Sequence, residues 1–255
     1  MKISVCGKGG SGKSTIVALL AKEARDRGYR VLVVDSDESN TGLFRMFSFN
    51  NAPVPLMELV GGKRSLQRKM GQPNILKGTS IKTSQIPEGY WMGKDGLMLV
   101  SIGKILQSLE GCACPMGVLS REFLKKLDLQ EDEIAIIDME AGVEHFGRGV
   151  ETSVDSVLIV VEPSLESIEV AKKINDLAKG IGISNIWAVL NKMASDDIAT
   201  KVNGALKRHG IHVVGRLNFD TGLFESSIDG KILAEGKVVE DIREVLDSIL
   251  SQVTK

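Results

Sequence analysis

The sequence predicts an α/β protein built on a doubly wound, mostly parallel β-sheet with helices on both faces. Three observations carry that prediction. Short apolar runs rich in β-branched residues recur along the chain and mostly do not alternate with polar ones, which is how strands covered on both faces read. Amphipathic helical stretches lie between them, and strand, helix, strand at this cadence folds as a parallel sheet. The 255 residues suffice for one well-buried core, so a single domain over 1–255 is expected.

In chain order, "KISVC" (2–6) is the first strand, and the helix at 13–28 follows with Ile16, Leu19, Leu20 and Ala24 on one stripe and Gly28 as its stop. "VLVVD" (31–35) is the second strand. Residues 41–96 hold prolines at 53, 55, 73 and 87 and show no clean period, so an irregular surface excursion carrying Tyr90 and Trp91 is expected there. "LMLVS" (97–101) resumes the sheet, "SREFLKKL" (120–127) reads as helix, and "IAIID" (134–138) and "VLIVV" (157–161) are strands. A helix over 164–182 opens on a serine shortly before a glutamate and ends at glycine, as capped helices do. "IWAVL" (186–190), a helix at 195–210, "HVVG" (212–215) and a last helix at 237–253 complete the scheme.

Composition excludes several classes. With 32 basic against 33 acidic residues, no overall field gathers nucleic acid or anionic lipid, and neither is expected as a partner. The final helix carries Glu240, Asp241, Glu244 and Asp247 and almost nothing basic, which argues against an amphipathic membrane anchor. No apolar run approaches the ~20 residues of a membrane span. Lys2 runs straight into a short strand and leaves no room for a secretory segment. Three cysteines do not make a disulfide framework, so a reducing cytoplasm and free thiols are expected.

The chemistry begins at "GKGGSGKST" (7–15), which satisfies G-x-x-x-x-G-K-[ST] between a strand and a helix. Gly7, Gly9, Gly10 and Gly12 let consecutive amides turn inward around phosphates, with the helix N-terminus adding its positive end. Ser11 and Thr15 complete the loop, Lys13 reaches the β- and γ-phosphates, and Ser14 offers a hydroxyl to magnesium. ATP and Mg2+ are the expected cofactors, and slow hydrolysis of ATP to ADP and phosphate is the expected activity. Lys8 is a second loop lysine. It reads either as a solvated surface residue or as a group that crosses a dimer interface to the partner's nucleotide.

Acidic residues stand at strand ends, where open α/β sheets bind ligands. Asp138 reads as the Walker-B carboxylate that holds magnesium directly or through water. Asp35 lies close to the same ion, and Asp37, just past the strand, is placed to orient the attacking water. The amide of Gly142 sits where it can sense the γ-phosphate. Asn191 and Lys192 follow a late strand, where an asparagine can offer both a donor and an acceptor to adenine; "GRLNFD" (215–220) packs against the ring. Cys6 reads as core. His145 is placed to hold the loop or meet an interface, while His209 and His212 carry no chemical signal.

"GCACPMG" (111–117) puts Cys112 and Cys114 one residue apart, too close for an unstrained disulfide. Packing and a redox pair are open readings. A third is ligand counting: two thiolates leave a soft ion half-coordinated, and a twofold axis doubles them to four, which suits zinc, nickel or a cluster.

The arrangement "KGGxGK" resembles the deviant phosphate loop of the MinD/ParA and nitrogenase-iron-protein class, the SIMIBI P-loop NTPases. In that class the extra lysine marks nucleotide-sandwich dimers, which implies the crossing role for Lys8. The loop of that class usually reads D-x-D-P-x-x-N; here Asp35 and Asp37 match, Glu38 replaces the proline, and Asn40 stands one residue before the position of the pattern's asparagine. Taken together, "GKGGSGKST", "DSDESN", "EGCACPMGVLSREFL", "DMEAGVEHFGRG", "VVEPS" and "NKM" resemble the CooC-type accessory ATPases that insert nickel into carbon monoxide dehydrogenase. The resemblance implies an ATP-dependent homodimer, a metal site of Cys112 and Cys114 from both chains with Ni2+ as cargo and Zn2+ as a substitute, and the dehydrogenase as client. Rival expectations are a MinD/ParA-type positioning or partition ATPase and an ATP-gated reductase like the nitrogenase iron protein, whose two cysteines lie far apart in sequence.

Overall fold

The computed structural model describes residues 1–62, 78–104, 114–232 and 235–253. Its strands are β1 Lys2–Gly7, β2 Arg30–Asp35, β3 Trp91–Lys94, β4 Leu97–Ser101, β5 Glu133–Asp138, β6 Ser156–Val161, β7 Asn185–Met193 and β8 His212–Asn218. They form an 8-stranded sheet in the order β3-β4-β2-β5-β1-β6-β7-β8. Every neighbouring pair is parallel except β3 with β4. The doubly wound prediction holds.

The helices are α1 Lys13–Asp26, α2 Leu43–Met46, α3 Leu56–Leu59, α4 Cys114–Lys126, α5 Glu144–Gly147, α6 Leu165–Gly180, α7 Asp196–Arg208, α8 Thr221–Ile228 and α9 Lys237–Val253. Short 3-10 turns at Thr83–Gln85 and Val150–Ser153 join them. The expected caps form: Ser164 accepts from the Ser167 amide and Ser195 from the Ile198 amide.

Two apolar cores explain the unalternating strands. Val31, Val33, Ile134 and Ile136 face one core, shared with Ile16, Leu19 and Leu20 of α1 and Val245 and Ile249 of α9. Their strand neighbours Leu32, Val34, Ala135 and Ile137 face the other, with Phe123 of α4, Ile174 of α6 and Leu206 of α7. Alternate side chains thus point to opposite faces, and both faces exclude water. Each fully buried Leu, Ile or Phe contributes about 1.5–3 kcal/mol of transfer free energy.

The structure corrects three expectations. The excursion at 41–96 is not irregular throughout, because β3 lies inside it. Asp95 (φ 51°) and Gly96 (φ 83°) form the two-residue turn that folds β3 back onto β4. The signal was present as the Asp-Gly pair between "WMGK" and "LMLV". Second, α8 was not foreseen, although Asp220 caps it by accepting from the Leu223 amide at 2.7 Å. Third, Asn191 and Lys192 lie within β7, not after it, at a register irregularity where Lys192 takes φ 60°.

Candidate functional site

The carboxyl ends of β1, β2, β5, β6 and β7 open onto one crevice, and the phosphate loop crosses it between β1 and α1. The loop's form depends on Gly12. Its φ of 96° favours glycine, and a Cβ there would run into the Asn191 amide. Lys13 is buried, with Nζ 3.5 Å from the Lys8 carbonyl that it faces across the loop. Ser11 is fully buried, its Oγ without a partner.

The magnesium-binding candidates come together. Ser14 Oγ donates to Asp138 Oδ2 at 2.7 Å and accepts from Asn40 Nδ2 at 2.9 Å. Asp35 and Asp138 are register partners on β2 and β5. Both bury one carboxylate oxygen, Oδ1 in each case, without a hydrogen bond. Burial, and then the Asp35 charge, push Asp138 up to about 7; burial pushes Asp35 up to about 6, partly offset by Lys104. Crowded, desolvated carboxylates with orphaned oxygens beside a serine hydroxyl fit a divalent cation.

Lys104 is a residue that sequence reasoning missed. Its Nζ lies 2.7 Å from Asp35 Oδ2 and donates to the Asp37 carbonyl at 2.6 Å. Asp35 is therefore paired with a lysine, whereas among the described residues Asp138 accepts a side-chain hydrogen bond from Ser14 and feels the Lys13 charge without an ion pair. No pattern around "GKIL" marks Lys104, because its role depends on the turn that follows β4.

Asp37 is buried, and its Oδ1 accepts from the Ser39 amide (2.9 Å), the Ser39 hydroxyl (2.6 Å) and the Asn40 amide (3.3 Å). This side-chain turn, with Lys104 on the carbonyl, rigidifies the loop where the related pattern has proline. Glu38, in the proline position, is buried and reaches Arg148 Nη1 at 3.4 Å. Arg148 Nη1 also holds Glu140 Oε1 at 2.5 Å. Burial and the neighbouring Glu38 carboxyl push Glu140 up to about 7, against the pull of Arg148.

Lys8 Nζ pairs within its own chain, with Glu162 Oε1 at 3.0 Å and Glu166 Oε2 at 3.3 Å. Glu162 Oε2 holds Lys192 at 3.3 Å, and Lys192 Nζ donates to the Gly10 carbonyl at 2.5 Å. Glu162 thus links both lysines beside the phosphate loop. It follows the last residue of β6 directly, so the strand-end rule that found the aspartates also pointed to it.

Asn191 Nδ2 donates to the Ser11 carbonyl at 2.8 Å, so its amide nitrogen braces the loop. The adjoining small cleft, about 70 Å³, is lined by Gly12, Thr15, Asn191, Phe219 and Phe224, among others. Phe219 and Phe224 are half exposed with ring centroids 6.0 Å apart, two apolar faces beside the loop suited to a base.

The Gly142 amide donates to the Gly7 carbonyl at 3.1 Å, and the Gly142 carbonyl lies 3.2 Å from His145 Nε2. His145 Nδ1 contacts Glu151 Oε1. Cys6, His145 and Glu151 bring ligand atoms within 4.8 Å of one another, all buried. Both ring nitrogens are already engaged, and burial pushes the Cys6 thiol well up, so this cluster is core packing and loop support. Of the two sequence readings of His145, loop support is the one these contacts match. Cys112 lies outside the described residues, and of Cys114 only the backbone, opening α4, is described. Among the described residues no helix is long and apolar enough to cross a membrane.

Comparison with known proteins adds to this geometry. Residues 3–233 match the family model described as the CobQ/CobB/MinD/ParA nucleotide binding domain. The chain is 43% identical over 198 residues to an uncharacterized ATP-binding protein of Methanocaldococcus jannaschii, covering 76% of this chain and 79% of that one. It is 37% identical over 202 residues to the carbon monoxide dehydrogenase accessory protein CooC of Rhodospirillum rubrum, covering 76% and 75%. Among solved structures, the septum site-determining protein MinD of Pyrococcus horikoshii, complexed with Mg-ADP, superposes with a TM-score of 0.73 over 100% of this chain and 98% of that one, at 16% identity. That last likeness is one of fold.

Proposed function

This chain belongs to the CobQ/CobB/MinD/ParA nucleotide-binding family and is a P-loop ATPase, and from that premise we propose that it is an ATP-gated nickel carrier that assists maturation of carbon monoxide dehydrogenase. The observation that carries the reading is the Cys112-Ala113-Cys114 pair leading into α4, a helix tied to the acidic loop after β2 by Ser120 to Ser36 (2.9 Å) and to the end of α5 by the Arg121 guanidinium, which donates to the Arg148 carbonyl (3.4 Å). The similarity to CooC, named as an accessory protein of that dehydrogenase, supports the client. Two chains contribute four thiolates to one ion, Ni2+ as cargo or Zn2+ in its place.

In this reading the amides of Gly9 to Thr15 and Lys13 bind the phosphates, and Asn191 and Lys192 border the base. Ser14 and Asp138 would hold magnesium, with Asp35 beside them, and the ion would supply positive charge to the phosphates. Asp37 orients the water for in-line attack, and Lys8 leaves Glu162 and Glu166 to reach the nucleotide of the partner subunit. The test is metal and protein quantification of anaerobically purified, ATP-bound protein loaded with nickel or zinc. One ion per dimer is expected; one per chain overturns the shared site.

Two variants check the nucleotide roles. Asp37→Asn should bind ATP and dimerise normally yet hydrolyse at least ~100-fold more slowly, since only the attack of water is affected. Hydrolysis at the unsubstituted rate moves the role to Asp35. Lys8→Ala should keep ATP binding but lose the ATP-dependent dimer and most turnover, as read by light scattering and phosphate release. An unchanged dimer with normal turnover removes Lys8 from the interface.

A further inference from the structure

Gly117 sits in the first turn of α4, where glycine costs about 1 kcal/mol relative to alanine. The structure shows what occupies the space: a Cβ on Gly117 would stand 2.6 Å from Arg148 Cδ, 3.1 Å from its Cβ and 3.3 Å from its Cγ. The aliphatic stem of Arg148 therefore lies directly on the helix backbone. Its guanidinium meets Glu140 and Glu38. Glu38 follows Asp37, and Glu140 is two residues past Asp138. One side chain thus touches the loop after β2, the loop after β5 and the first turn of α4. We propose that Arg148 is a positioning residue that couples the nucleotide-facing loops to the N-terminal turn of α4, so that nucleotide binding shifts that turn.

The physical argument is one of geometry. Carboxylates from two different loops meet one guanidinium nitrogen, Nη1, so displacement of either loop pulls on the same atom of a rigid planar group. Its stem has no Cβ to slide over at Gly117, so the helix follows at van der Waals contact. Ser36 to Ser120 adds a second tie between the loop after β2 and α4, and the Arg148 carbonyl, accepting from Arg121, holds the backbone of Arg148 itself to the helix. The consequence for metal at Cys112 and Cys114 rests on the carrier reading above; the coupling itself does not.

Hydrogen–deuterium exchange of the full chain, with and without the non-hydrolysable analogue AMPPNP and magnesium, tests it. In the unsubstituted protein, nucleotide should change exchange of the amides at 117–121 by about threefold or more. Arg148→Gln, at saturating nucleotide, should lose that response. Gly117→Ala should lose it too, because the new methyl forces Arg148 off the helix, although alanine strengthens the helix itself. Gly117→Ala alone decides if Arg148→Gln fails to fold or to bind nucleotide. Arg148→Lys, which keeps the charge without the fork, should retain only part of the response. A purely structural Arg148 would lower Tm equally in both nucleotide states and leave the response intact, and that result overturns the proposal, as does an unsubstituted protein with no response. Nickel titration of the same samples reads the carrier function separately: exchange coupling without shared metal binding retires the carrier reading and leaves the coupling standing.

Discussion

Asp138→Asn should abolish magnesium-dependent ATP hydrolysis while making the nucleotide-free protein more stable at neutral pH. The two effects share one cause. Asp138 is fully buried at the end of β5, pushed up to about 7 by burial and by Asp35, with Oδ1 unsatisfied. A carboxyl whose folded pKa lies above its unfolded value near 3.8 binds its proton more tightly in the folded state. Its cost to stability is therefore absent below about pH 4, grows as pH rises, and is complete above about 7. Asparagine keeps the acceptor for the Ser14 hydroxyl and removes the charge. Scanning calorimetry without nucleotide should show Tm rising at pH 7.5, by about 2–4 °C for each kcal/mol relieved, and little change near pH 4.5. With ATP and magnesium the order reverses, because the unsubstituted protein gains binding energy that the variant cannot. Loss of a metal-borne charge worth several kcal/mol lowers turnover by ~100-fold or more. A variant that hydrolyses ATP normally, or is less stable at pH 7.5 without nucleotide, contradicts the assignment.

Cys112→Ser and Cys114→Ser should each eliminate tight nickel and zinc binding altogether. In a symmetric dimer one substitution deletes two of the four ligands, and the two remaining sulfurs cannot complete a tetrahedral site. ATP hydrolysis should persist in both variants, since neither sulfur is assigned to the phosphate loop or the aspartates. Equilibrium dialysis with elemental analysis reads the first effect and phosphate release the second. Full metal retention in either variant removes the pair from the site. Loss of hydrolysis in both would mean that the cysteines serve the nucleotide and not a separate cargo.

The sequence by itself determined the sheet, the phosphate loop and the acids at the ends of β2 and β5, because each rests on local signals. Buried strands must be continuously apolar, a phosphate cradle needs glycines at fixed spacing, and a strand-end aspartate is adjacent to its own strand. Asp95-Gly96 and the Asp220 cap were equally local and equally readable, yet the prolines around them hid the hairpin. What only the tertiary structure decided is how distant groups share charge. Lys104 pairs with Asp35, Glu162 bridges Lys8 and Lys192, and Arg148 joins Glu38 to Glu140 over Gly117. These partners lie up to 154 residues apart, as Lys8 and Glu162 do. An ion pair leaves no periodicity in a sequence; it exists only where the folded backbone delivers two side chains to within a few ångströms of each other and away from water.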